Sequence, residues 1–90
     1  MNKIILDLTG CKSLLELHNI IKKTFGFPEH YGNNLSALWD CMWEYCRPDT
    51  IICVKGVDTL PKELGGYMEK VYEVFNDVEQ EVENVIFEII

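Results

Sequence analysis

Positive charge is scarce in this chain. Its 90 residues carry eight Lys and Arg against fifteen Asp and Glu, a formal net charge of −7 at pH 7. Gripping nucleic-acid phosphates or an anionic membrane takes clustered Lys and Arg, so neither is an expected partner; the balance favours a cationic partner, or simply solubility. Long apolar runs are missing too, and nothing approaches the ~20 residues needed to span a bilayer. Met1 to Leu8 lacks the cationic region, apolar core and small-residue cleavage site of a secretory signal, which points to a cytoplasmic protein. Repeats, low-complexity stretches and linkers are absent, and the length suits a single domain over 1–90.

The four cysteines, Cys11, Cys41, Cys46 and Cys53, lack zinc-ligand spacing. No pair is two residues apart, and neither His18 nor His30 falls at ligand distance from them, so no metal is expected. Outside a secretory context they read as reduced structural thiols. Gly65-Gly66 lacks the preceding strand and the following Lys-Ser/Thr of a phosphate-cradling loop, so no nucleotide cofactor is expected.

What remains is a globular composition, 48% hydrophobic and 26% charged, too apolar for a disordered chain. Lys3 to Leu8 reads as a short buried strand. Ser13 with Glu16 forms a capping box that opens a helix to about Phe25, with Leu14, Leu17, Ile21 and Phe25 as its apolar stripe and Gly26 as its stop. Phe27 to Gly32 is a loop punctuated by Pro28 and Gly32. Asn33 is the expected N-cap of a second helix running to Tyr45, broken by Arg47-Pro48-Asp49. Thr50 to Val54 is β-branched and unbroken by charge, a strand buried on both faces. Asp58 caps a short helical turn to Leu64, which Gly65-Gly66 ends. Tyr67 to about Glu81 is a third helix, with Met68, Val71, Val74, Phe75, Val78 and Val82 on one face, and Val85 to Ile90 is a last strand. Strands separated by helical pieces imply crossover units: an α/β fold with a small three-stranded parallel sheet packed by helices.

The second helix is the most informative. Leu35, Leu38, Trp39, Met42 and Cys46 share one face, with Trp39 at its border, while Ser36, Asp40, Trp43 and Glu44 look outward. Trp39 beside Asp40 reads either as a core indole next to a solvated acid or as a contact surface. Trp43, directed away from the core, is harder to assign to packing. On the last helix Glu69, Glu73, Asp77 and Glu81 recur every four residues, where like charges repel by roughly 0.2–0.5 kcal/mol per pair. Asp77, Glu79, Glu81 and Glu83 also crowd the negative end of its dipole. Such a stripe is either a solvated face or charge retained for a partner.

Catalytic readings find little support. Cys41 with Asp40 and His30 could be imagined as nucleophile and base, but no Lys, Arg or helix N-terminus adjoins the thiol to lower its pKa. His18 reads as a packed histidine at the edge of the first helix's stripe. His30, in a loop, is either a plain loop residue or a contact. Cys46 and Cys53 fall on expected core faces and Cys41 on a helix flank, which makes Cys41 the expected most reactive thiol.

Leu17-His18 through Lys22-Lys23, followed by Phe27-Pro28-Glu29-His30-Tyr31-Gly32-Asn33-Asn34-Leu35-Ser36-Ala37-Leu38-Trp39-Asp40-Cys41, resembles the barstar family of intracellular inhibitors of secreted barnase-type ribonucleases. The resemblance implies a barstar-like sheet packed by helices, no enzymatic activity, and a basic ribonuclease as partner of a protein that is monomeric when free. It implies that the second helix and the loop before it, including Tyr31 and Gly32, plug the nuclease active site. Asp40 matches the acid that occupies an RNA-phosphate position, and Trp39 a neighbouring contact or support. Asp77 matches an acid on the last helix, with Glu81 at the next turn and Glu73 in the same stripe. This sequence departs from the family pattern at four places. His30 replaces a loop tyrosine, Ser36 replaces an acid one turn before Asp40, Trp43-Glu44 replaces a Thr-Gly pair, and Tyr45 replaces a tryptophan. The alternative reading is a barstar-like module that binds another basic protein without inhibiting a nuclease.

Overall fold

In the computed structural model, which describes residues 1–90, three strands lie side by side in the order β1-β2-β3. They are β1 (Asn2–Asp7), β2 (Thr50–Lys55) and β3 (Val85–Ile89), and both pairings are parallel. The register stacks Ile4, Ile52 and Phe87 in one row and Leu6, Val54 and Ile89 in the next. Three helices complete the fold: α1 (Leu14–Phe25), α2 (Leu35–Tyr45) and α3 (Gly65–Glu81). Crossovers between parallel strands of one sheet are right-handed as a rule, and two of them stepping in the same direction put all helices on one face. The other face carries Lys3, Ile5, Asp7, Lys55, Ile86 and Glu88, all exposed.

That asymmetry corrects the expectation of a buried first strand. β1 is an edge strand, and Ile5, on its uncovered face, is 48% exposed while Leu6, facing the helices, is fully buried. β2 meets the expectation of burial on both faces only in part: Ile52 and Val54 are fully buried under the helices, while on the open face Cys53, between Ile5 and Glu88, is 2% exposed but Ile51 is half-buried and Lys55 exposed. Leu6, Leu17, Ile21, Leu38, Met42, Val71, Phe75 and Val78 close the core between sheet and helices.

Local chemistry sets the helix ends. The Ser13 hydroxyl accepts the Glu16 N–H, and Gly26, at φ 71°, ends α1 in the left-handed conformation that glycine adopts without strain. The cap of α2 is Asn34, one residue beyond the expected Asn33: its side-chain oxygen accepts the Ala37 N–H at 2.8 Å, while Asn33 turns the loop at φ 51°. Gly65-Gly66 opens α3 rather than ending the turn before it. Glycine stops a helix through positive φ, and Gly65 sits at φ −58° and ψ −46°, in line with the helix. The expected single turn from Asp58 to Leu64 is split into two 3-10 turns, Val57–Thr59 and Lys62–Leu64, because Pro61 between them has no N–H to donate. Asp58 makes no capping bond there. The first of these turns follows Gly56, at φ 79°, where a Cβ would collide with the backbone of Thr9.

Candidate partner-binding surface

The surface begins in the loop between α1 and α2. Lys22 Nζ meets Glu29 Oε2 at 3.0 Å, and the Tyr31 N–H donates to the Pro28 carbonyl, folding the chain into a turn. Tyr31 then points inward. It is 6% exposed, and its hydroxyl lies 2.7 Å from His18 Nδ1. On the other side of the imidazole, Nε2 lies 2.6 Å from the Tyr67 hydroxyl of α3. His18 therefore joins α1, the loop and α3 through a fully buried ring, not at a surface edge as expected. A neutral imidazole has one donor and one acceptor, so one tyrosine hydroxyl donates to it and the other accepts from it. Burial pulls the His18 pKa below its ordinary 6.5 and pushes the Tyr31 and Tyr67 hydroxyls above theirs.

The sequence held a signal for this placement. His18 lies one turn before Ile21 and next to Leu17, and those three residues, not the expected Leu14, are the buried ones on α1. Leu14, in the first turn, is 42% exposed. Of the loop residues assigned to partner binding, Tyr31 holds the surface from below, and His30 and Gly32 lie exposed on it. The Asn34 side chain donates to the Gly32 carbonyl at 3.1 Å, fixing the last bend before α2.

On α2, Ser36, Trp39, Asp40, Trp43, Glu44 and Tyr45 are all exposed. Trp39 and Trp43, one turn apart, pack edge to face with ring centroids 5.3 Å apart and planes at 68°. Trp39, 39% exposed, thus sits at the border of the core face as expected, with its open side toward Trp43 and solvent. The Tyr45 ring packs at 5.8 Å on Phe27, linking the end of α2 to the loop. Two ion pairs occur in the whole chain, Lys22–Glu29 and Lys55–Asp7, so Asp40 and Glu44 have no cation of their own.

The thiols of α2 do not form a reactive centre. Burial, followed by the charges of Glu44 and Asp40, raises the Cys41 pKa, opposite to what a nucleophile requires. Cys41 is 9% exposed and so lies deeper than a helix flank would suggest. Cys46, expected on a core face, is only half-buried because α2 ends beside it. All four thiols are free.

On α3, which packs against α2, Glu73, Asp77 and Glu81 are exposed and unpaired. Glu79 has a structural task that the sequence did not reveal: its carboxylate accepts the Phe87 N–H at 2.9 Å. β3 is an edge strand, and this bond occupies an outward-facing donor that would otherwise invite another strand. The one concave site, an open groove of about 380 Å³ lined by Val57, Leu60, Met68 and Tyr72 among others, shares no residue with the α2 surface. No three His, Cys, Asp or Glu side chains gather closely enough to hold a metal ion, and no helix is long and apolar enough to cross a membrane.

The chain is thus a small α/β protein whose second helix exposes a pair of packed indoles and two carboxylates without an internal cation. The family model described as Barstar (barnase inhibitor) matches residues 1–89. The chain is also 33% identical over 84 residues to a Bacillus subtilis (strain 168) protein named "Putative ribonuclease inhibitor YrdF", covering 93% of this chain and 92% of that one. The chain belongs to the barstar family, a family of inhibitors and not of enzymes. Its parallel three-stranded sheet with three helices is the fold expected of that family.

Proposed function

We propose that this protein inhibits a cationic, barnase-like ribonuclease by laying the loop 28–34 and the exposed face of α2 over the enzyme's active site. Asp40 carries the reading. It is an exposed carboxylate without an internal cation, next to an indole pair, on a helix whose entry loop is pinned from below by His18. A carboxylate can stand where an RNA phosphate binds because both accept paired hydrogen bonds from an arginine fork. His30, Gly32, Ser36 and Tyr45 form the surrounding contact area, and Trp39 walls the acid on one side. Glu73, Asp77 and Glu81 add a negative field that draws a basic enzyme in and speeds encounter. The partner is a basic ribonuclease of the secreted type, and the inhibitor acts as a monomer in the cytoplasm of the cell that makes the enzyme.

Titration of the protein into a basic ribonuclease from its own organism tests this. The expected result is stoichiometric loss of RNA cleavage, with no binding of RNA by the inhibitor itself. RNA binding by the isolated chain, or a tight complex that leaves cleavage intact, contradicts occlusion; the second outcome favours a module for a different basic protein.

A further inference from the structure

We propose that Trp43 and Glu44 form a second anchor on α2, a seat for an arginine side chain of the basic protein partner. The inference rests on α2 facing that partner, and adds a site one turn beyond Asp40. Residues three and four apart on a helix are surface neighbours, so Asp40 adjoins both Trp43 and Glu44. Trp39 lies one turn before Trp43, and the edge-to-face contact at 5.3 Å holds the Trp43 ring in a fixed pose while leaving it 37% exposed. Trp43 and Glu44 thus flank the turn that follows Asp40, an indole packed on Trp39 on one side and an exposed carboxylate on the other, and a side chain reaching past Asp40 meets both.

The charge pattern points to a cation. α2 contains no Lys or Arg, and neither ion pair of the chain reaches it. Asp40 and Glu44 repel each other at a spacing of four, and Glu44 stands in the last turn, beside the negative end of the helix dipole. Both features disfavour the unbound helix, and a bound cation relieves both. An indole face beside a carboxylate suits guanidinium better than ammonium. The planar guanidinium stacks on the ring and still directs N–H groups in its own plane at the acid, whereas ammonium is more strongly hydrated and offers a point charge.

The chain has two tryptophans, so two indole N–H signals report on the site by NMR. Arginine amide and lysine amide are the probes, each titrated into the intact protein. Arginine amide is expected to shift the Trp43 signal saturably in the millimolar range and at least about 3-fold more tightly than lysine amide, with the preference lost in Glu44→Gln. Equal response to the two amides, or no response, overturns the proposal. In a second arm barnase is the probe. Glu44→Gln and Trp43→Ala are each expected to speed dissociation by about 3- to 30-fold. If Asp40→Ala weakens that complex while Trp43→Ala and Glu44→Gln leave it unchanged, the reading of α2 stands and the arginine seat falls. If the wild-type protein does not engage barnase, the parent reading loses its support and the amide titration still decides the seat.

Discussion

The Nδ1 atom of His18 lies 2.7 Å from the Tyr31 hydroxyl, and this buried bond ties the loop that leads into α2 to the inner side of α1. The imidazole also meets the Tyr67 hydroxyl at 2.6 Å, so one ring fixes the loop against both α1 and α3. The exposed residues His30 and Gly32 flank Tyr31 directly, and the placement of the proposed binding loop depends on a histidine that no partner touches.

Stability should therefore fall with acidification in a window set by His18. Its folded-state pKa is depressed by burial, while the unfolded chain titrates near 6.5. The unfolded state then binds a proton before the folded state does. The contribution is complete above 6.5 and is lost as pH drops from there toward the depressed folded value. Urea melts between pH 8 and 5 should show a steeper decline for wild type than for His18→Gln. Parallel slopes would separate the histidine from the effect.

The cysteines should react in an order that the sequence pattern alone gets wrong. Cys11, Cys41 and Cys53 are 1%, 9% and 2% exposed, and Cys46 is the least covered. Alkylation of the native protein followed by mass spectrometry should label Cys46 first. All four should be slow against an unfolded control. Cys41 leading the series would mean that α2 is rotated from the orientation described.

Most of the fold was legible because its signals are local. Ser13 and Gly26 bound α1 as read, the β-branched run over Thr50 to Val54 is the central strand, and the crossover logic gives the parallel sheet. The misreadings share a physical origin in context beyond the residue itself. Ile5 looks like core until β1 is known to lie at an edge with one uncovered face. Gly65-Gly66 looks like a stop until its negative φ places it inside a helix. His18 looks like a surface-edge histidine until Tyr31 and Tyr67, far apart in sequence, supply both partners its ring needs. Of the candidate site, the exposure of Asp40, Trp43 and Glu44 followed from the helical spacing of α2, while the packing of Trp39 on Trp43 and the structural use of Glu79 required the packed helices.

Glu79→Ala should destabilise the protein by about 0.5–1.5 kcal/mol, the net worth of one hydrogen bond, since the half-buried Phe87 N–H at the sheet edge exchanges its carboxylate acceptor for water. Glu79→Gln, which keeps a carbonyl oxygen in place, should recover part of that loss. Equal stability of all three proteins in urea would remove Glu79 from the edge of β3.

Replacing Glu73 and Asp77 with Gln and Asn should raise stability by a few tenths up to about 1 kcal/mol, because both changes relieve repulsion and one lies near the negative end of α3. The same variant should associate more slowly with a basic ribonuclease, most clearly at low salt where charges act over a longer range. Stopped-flow mixing across ionic strengths separates steering from solvation. An unchanged rate and salt slope would assign the stripe to solvation alone.

The most direct test of the account is the dissociation rate of Asp40→Ala from the ribonuclease that the wild-type protein inhibits, measured by competition with the fold checked by circular dichroism. If Asp40 fills a phosphate position, its loss strands desolvated cationic groups on the enzyme. Binding should then weaken by about 2–5 kcal/mol, mostly through faster release. A folded Asp40→Ala variant that leaves the enzyme no faster than wild type would contradict the account at its centre.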